Sequence, residues 1–301
     1  VASKHNRPEP GIARRHLLQM LALASVFPGS ALAAAPRRIA AIDWAMLETA
    51  MAIGVIPIAA TELIKFRSDA REPVVPDSVA DLGLRGAPNY ELLHLLKPDM
   101  ILSSPFYTRQ KPVLEAIAPV VSMPFYVKGE PPFEKALTAV GDLGRLLDRT
   151  DAAKLALDQA AVMLEATRTQ LQPFAARPTY VINIGDARHF RAFGADSMFG
   201  DILARLGLAN AWTDQSRFTF AAPVPIEDLA ARPDARIVVV SDIPVEARTG
   251  LRDSMIWRSL EPVKSGRVVM IGNVNPYGGI TAGLRFARLL RDGLLGQAGA
   301  L

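Results

Sequence analysis

The chain has 301 residues, half of them hydrophobic and about a fifth charged, with a formal net charge of +4 and no cysteine. That length suits two compact lobes with sizeable cores. The missing cysteines exclude disulfides, thiolate metal sites and cysteine nucleophiles. Among the first 33 residues Lys4, Arg7, Arg14 and Arg15 stand against Glu9 alone, so the rest is close to neutral and offers nucleic acid no concentrated basic face.

The N-terminal residues read as an address. Basic Arg14-Arg15-His16 precedes an apolar run from Leu17 to Phe27, then Pro28-Gly29 and the small residues Ser30-Ala31-Leu32-Ala33. Basic, apolar and Ala-x-Ala segments in this order predict a signal peptide over residues 1–33. The apolar run is too short to span a bilayer. Arg14-Arg15 followed by Leu17-Leu18 is similar to a twin-arginine export signal, although a Ser before the pair and a Phe after it are missing.

Strands and helices then alternate. Arg38–Ile42 reads as a strand, Met46–Ile53 as a helix closed by Gly54, and Ile56–Ala60 as the next strand. Asn89 is placed to cap a helix over Glu91–Leu96, Pro98 stops it, and Met100–Leu102 is a buried strand. Such alternation predicts parallel sheets flanked by helices. Phe133–Leu147 reads as one helix. Asp151–Leu171 reads as another, free of Gly and Pro and about 32 Å long.

The second half repeats the plan. Glu91-Leu92 followed by Lys97-Pro98-Asp99 and Met100–Ser103 is echoed by Glu227-Asp228-Leu229, Arg232-Pro233-Asp234 and Arg236–Ser241. Ile117-Ala118-Pro119-Val120 is echoed by Leu260-Glu261-Pro262-Val263. The repeat predicts an α/β fold of two similar lobes. The first covers 36–147 and the second 173–301, joined by a long rigid helix at 148–172. A stiff connector implies only slight closure on a ligand, since flexible hinges are rich in Gly and Ser.

Catalytic motifs are missing: the chain has no G-x-S-x-G elbow, phosphate-binding loop, H-E-x-x-H or G-x-G-x-x-G. His94 and His189 are the histidines beyond the leader, too few for a zinc or haem-iron site of the usual kind, and no carboxylate pair is placed for acid/base work. The reading is therefore of a binding protein and not an enzyme, with no resident metal or cofactor. A ligand belongs outside the carboxyl ends of the parallel strands. The loops there include Asp81–Asn89, Ser103–Tyr107, Asn183–Arg188, Trp212–Phe220 and Asn273–Gly279. They offer Arg, Tyr, Asn, Trp and Phe, a set suited to a ligand with exposed oxygens on an apolar frame.

Several segments, in this order and spacing, carry a family likeness: Asp81-Leu82-Gly83-Leu84-Arg85, Pro88-Asn89-Tyr90-Glu91-Leu92-Leu93, Lys97-Pro98-Asp99, Asp186-Ala187-Arg188-His189, Ser197-Met198-Phe199 and Asn210-Ala211-Trp212. The chain resembles the periplasmic ferric hydroxamate-binding proteins of siderophore ABC importers over nearly its whole length. The resemblance implies the helical-backbone (class III) periplasmic binding protein fold. It also implies a monomer in the periplasm that captures a ferric siderophore and delivers it to an ABC permease and its ATPase, meeting the membrane only through them.

By position, Arg85 and Tyr107 match the residues that hydrogen-bond the hydroxamate oxygens around iron. Chelated iron(III) needs no protein ligand, while its oxygens keep partial charge that a guanidinium and a phenol can read. Read alone, Arg85 could equally be a surface ion pair and Tyr107 a packed loop aromatic. Trp44, Trp212 and Tyr277 match pocket-lining aromatics, or serve packing. Family tryptophans are replaced by Asp69, Ser103, Thr219 and Asn275, with Phe220 compensating for one. The pocket should then be roomier or more polar, open to a citrate-based or mixed siderophore or a larger hydroxamate, with Asn275 among its residues. Glu227 matches the second-lobe acid that docks on the permease. The first-lobe position holds Pro112, which leaves nearby Glu115 as the candidate. The alternatives are the same architecture binding a corrinoid or haem, and an exported hydrolase or chelatase.

Overall fold

Short apolar runs bounded by Pro, Gly and Asp make the strands. Ile39–Ala41 (β1), Ala59–Ala60 (β2), Ala80–Asp81 (β3), Met100–Ser103 (β4) and Val120–Ser122 (β5) form one wholly parallel sheet, ordered β3-β2-β1-β4-β5. Its central strand and β4 are buried throughout, as expected of a sheet covered on both faces. The structure is a computed structural model that describes residues 38–213 and 223–296. The leader read at 1–33 and the candidates Thr219 and Phe220 lie outside the described residues.

Thr179–Ile184 (β6), His189–Ala192 (β7), Val224–Pro225 (β8), Arg236–Val239 (β9) and Val268–Met270 (β10) form a second sheet, ordered β10-β9-β6-β7-β8. Strands β6, β9 and β10 run parallel, the counterpart of β1, β4 and β5. The other edge departs from the repeat, because β7 pairs antiparallel with both β6 and β8. Asp186 makes this reversal, its Oδ1 accepting the backbone N–H of Arg188 at 2.7 Å and of His189 at 2.9 Å.

Caps fall where the sequence places them. Asn89 accepts the N–H of Leu92 at 2.9 Å, and the chain turns left-handed at Lys97 (φ 47°) before Pro98. Asp43 caps the Trp44–Ala52 helix, accepting Met46 N–H at 3.1 Å. The connecting helix is Thr150–Leu171, 22 residues without a break. It packs against the helices Phe133–Leu146 and Ile280–Gly296. The latter belongs by sequence to the second lobe, yet it also lies on the Trp44–Ala52 and Phe133–Leu146 helices of the first. One apolar core consequently runs through both lobes, from Met46 and Val140 to Phe199 and Leu290. Phe286 stacks on Phe199 at 4.6 Å in its middle.

The Met198–Arg205 helix enters this core through Gly200. A Cβ there would lie 1.9 Å from the carbonyl oxygen of Gly194. Gly200→Ala should therefore cost about 1–3 kcal/mol or more, a fall of roughly 4–10 °C in Tm. Thermal melting followed by circular dichroism checks this, and an unchanged Tm would contradict the close approach.

Candidate functional site

All five strands of the first sheet end at one edge, and the loops that follow them enclose a cavity of about 640 Å³. Asp43 follows β1, Glu62 follows β2, Arg85 and Gly86 follow β3, Ser104–Tyr107 follow β4, and Phe125 and Tyr126 follow β5. Tyr277 is the second lobe's contribution.

Arg85 is held on two sides. Its Nε donates to Glu62 Oε2 at 2.8 Å, while its own backbone N–H donates to Glu62 Oε1 at 3.3 Å. Its guanidinium lies 4.0 Å over the Trp44 ring. Trp44 is itself locked, its indole N–H donating to Thr61 O at 2.9 Å and its edge set against Phe66 at 5.1 Å. The pair with Glu62 spends Nε, and the guanidinium also hydrogen-bonds the Tyr107 phenol, so the arginine and the phenol form one donor cluster at the cavity. Trp44 thus supports the arginine from beneath, and only 4% of its surface is exposed.

Tyr107 is buried beside Arg85 in the β4 loop. Burial, with the charges of Asp43 and Glu62, pushes its phenol up to about 12 against the pull of Arg85, so it is a hydrogen-bond donor at any physiological pH. Asp43 accepts from Ser104 Oγ at 2.9 Å, and burial raises its carboxyl too. Phe106, 86% exposed, stands at the mouth, edge-on to Tyr107 at 5.2 Å. Asp43, Glu62, Phe106 and Tyr126 were not singled out from sequence. Their shared signal is position, each lying just past a strand's carboxyl end.

Arg85 and Tyr277 also line a second cavity, of about 430 Å³, between the lobes. Its walls mix polar residues such as Lys65, Asp69, Asn183 and Asp242 with the aromatics Trp44, Phe193 and Phe199. Asp69, in place of a family tryptophan, pairs with Lys65 at 3.0 Å. Ser103, another such position, is buried at the end of β4. Across the cleft Arg71 pairs with Asp242 at 3.5 Å, and Glu72 with Arg285 at 2.5 Å and with Arg288.

The remaining candidates are placed differently. Asn275 borders the second cavity but is buried, its Nδ2 donating to Glu48 Oε1 at 2.9 Å and its Oδ1 accepting Tyr277 N–H at 3.0 Å. Glu48, on the first-lobe Trp44–Ala52 helix, also accepts the N–H of Gly279 at 2.7 Å and of Ala282 at 3.1 Å. A buried carboxyl therefore caps the last helix from the other lobe, accepting from two N–H groups at its N-terminal end. Tyr277 is 38% exposed and meets Tyr126 edge-on at 5.3 Å, and the Tyr126 hydroxyl donates to Gly278 O at 2.6 Å. Trp212 packs edge-on to Phe190 at 5.9 Å on the second-lobe core and is not among the residues lining either cavity. Glu227 is exposed in the first turn of the 3-10 helix Ile226–Ala231. Glu115 is exposed and pairs with Lys111 at 3.5 Å.

A family model for periplasmic binding proteins matches residues 39–274. The iron(3+)-hydroxamate-binding protein FhuD of Escherichia coli (strain K12) is 31% identical over 96% of this chain and 99% of its own length. The achromobactin-binding periplasmic protein of Dickeya dadantii (strain 3937) is 26% identical, over 85% of each chain. Among solved structures, the Fe3+–Desferal-bound siderophore-binding protein FhuD of Vibrio cholerae superposes with a TM-score of 0.81 at 24% identity, over 87% of this chain and 99% of that one. The chain belongs to the periplasmic binding protein family, among the relatives of the iron(3+)-hydroxamate-binding proteins.

Proposed function

We propose that this chain captures a ferric siderophore, of hydroxamate type, in the cleft between its lobes and presents it to an ABC permease and its ATPase. The observation that carries the reading is Arg85, fixed by Glu62 and Trp44 at a cavity that Tyr107 also lines. Preorganised donors of this kind suit chelate oxygens with partial charge. The iron is cargo that arrives chelated, so the chain needs no resident metal or cofactor and performs no catalysis. The second cavity would take a ligand's periphery. A corrinoid or haem ligand is disfavoured, since the relatives are named for iron chelates. Residues 1–33 would direct export by the twin-arginine route to the periplasm. Among the described residues no helix is long and apolar enough to cross a membrane.

Titrating tryptophan fluorescence, reported by Trp44, Trp212 and Trp257, with ferric desferrioxamine, ferric citrate, cyanocobalamin and haemin tests the function. Saturable quenching by a ferric chelate is expected. Binding of a tetrapyrrole alone would sink the proposal.

Permease docking would use one exposed acid per lobe, and the internal repeat refines which. Glu91 opens the Tyr90–Leu96 helix before Pro98-Asp99 as Glu227 opens its own before Pro233-Asp234, and both are exposed. Glu91, and not Glu115, is the pseudo-symmetric counterpart of Glu227. Glu91→Lys and Glu227→Lys should leave chelate affinity unchanged and abolish radioiron uptake by cells that depend on this chain, while Glu115→Lys leaves uptake intact. Loss of uptake in Glu115→Lys alone would reverse the assignment.

A further inference from the structure

The end of the second sheet opposite the cleft holds a cavity of about 700 Å³ walled by three arginines. Their placement follows from register. Arg177 lies just before β6, Arg236 opens β9, and Arg267 lies just before β10. Those strands are parallel neighbours, with Thr179 opposite Arg236 and Ile237 opposite Val268, so all three guanidinium stems leave the same sheet end.

Among the described residues none of these three has a carboxylate partner in an ion pair. Arg177 donates to Asp234 O at 2.8 Å, and Arg267 to Ala235 O at 3.1 Å and Pro233 O at 2.6 Å. Arg236 donates through Nη2 to Phe174 O and, at 3.3 Å, to Arg177 O. It is only 6% exposed, and its Nε has no partner. Among the described residues the one acid in the wall is Asp234, which pairs with Arg232 at 3.3 Å and also feels the Arg177 charge. Carbonyl bonds explain the position of Arg236 but not its uncompensated charge, and a buried cation without a counter-ion is costly. Burial and the nearby Arg177 charge depress Arg236 to about 10, a strain that a bound anion would relieve.

We propose that this cavity is a second ligand site, for a small, multiply charged oxyanion, a phosphate or a polycarboxylate, held by Arg177, Arg236 and Arg267. Forked guanidinium donors from three directions suit such a group. The site lies apart from the cleft and does not depend on what the cleft binds.

The test is calorimetric titration of the full chain with inorganic phosphate and with citrate, at ionic strength matched by sodium chloride. The wild type and Arg85→Ala, which disables the cleft, should bind one of them saturably. The paired change Arg177→Ala and Arg267→Ala should weaken that binding at least about 10-fold, as should Arg236→Met, which keeps the buried volume. The phosphate and citrate arms distinguish the two sources of the chemistry. No saturable binding, or binding unchanged in the double variant and in Arg236→Met, would overturn the proposal. So would a rise in Tm with phosphate that never saturates and is equal in every variant, the mark of general exclusion from the surface.

Discussion

Glu48→Ala is expected to be the most destabilising single change at the junction of the lobes, lowering the urea midpoint at an unchanged m-value. The substitution would leave the Asn275 amide and the backbone N–H groups of Gly279 and Ala282 without their acceptor in a buried place. Such losses cost about 1–3 kcal/mol for each group, so a total of roughly 3 kcal/mol or more is expected. Glu48→Gln, which keeps one accepting oxygen, should cost less. A wild-type midpoint for Glu48→Ala would show that the turn at 275–279 is held by something else.

The same residue sets a pH dependence. Burial, against the three accepted hydrogen bonds, raises the Glu48 carboxyl to about 8. Above the ordinary carboxylate range the unfolded chain has lost this proton while the native one still holds it. Stability should therefore fall as pH rises from about 5 to 8. In Glu48→Gln that slope should flatten, which urea midpoints measured across the window will report. An equal slope in both proteins would assign the dependence to other groups.

Arg85→Ala is expected to weaken ferric chelate binding by about 1.5–3 kcal/mol, that is roughly 10- to 100-fold in Kd. Tm should fall as well, because Glu62, whose side chain is only 17% exposed, loses the partner of its charge. The apo fluorescence should change as well, since the guanidinium no longer covers the Trp44 ring. Arg85→Lys keeps the charge but loses the planar fork, and should fall between. Unaltered affinity in Arg85→Ala, with the fluorescence change present, would remove the arginine from recognition while confirming its place.

The alternation of apolar runs with helices, the Pro-Asp turns and the unbroken 150–171 stretch made both sheets and the connecting helix legible, because each is set by local patterning. The loops that carry Arg85 and Tyr107 were legible because they follow strands, and the family resemblance singled out the two residues within them; both line the cavity. What was illegible depends on contacts distant in sequence. The antiparallel edge at β7 and β8 turns on Asp186, whose residue type alone does not announce a reversal. Nothing local shows that the last helix is shared by both lobes. Glu48 left one trace, a lone acid in the apolar helix Trp44–Ala52, but its partners lie more than 220 residues away. Asn275 does border the second cleft cavity, but its amide hydrogen bond to Glu48, a contact across 227 residues, had no local signal.

Among the described residues, Arg85 and Tyr277 are the two that line both cleft cavities, so substitution at either alters the divider between them. Compartments separated this way can be merged or resized by point mutation, with no loop rebuilt. If the cleft holds a chelate as proposed, the range of sizes it admits can be tuned at one tyrosine while Arg85 stays in place.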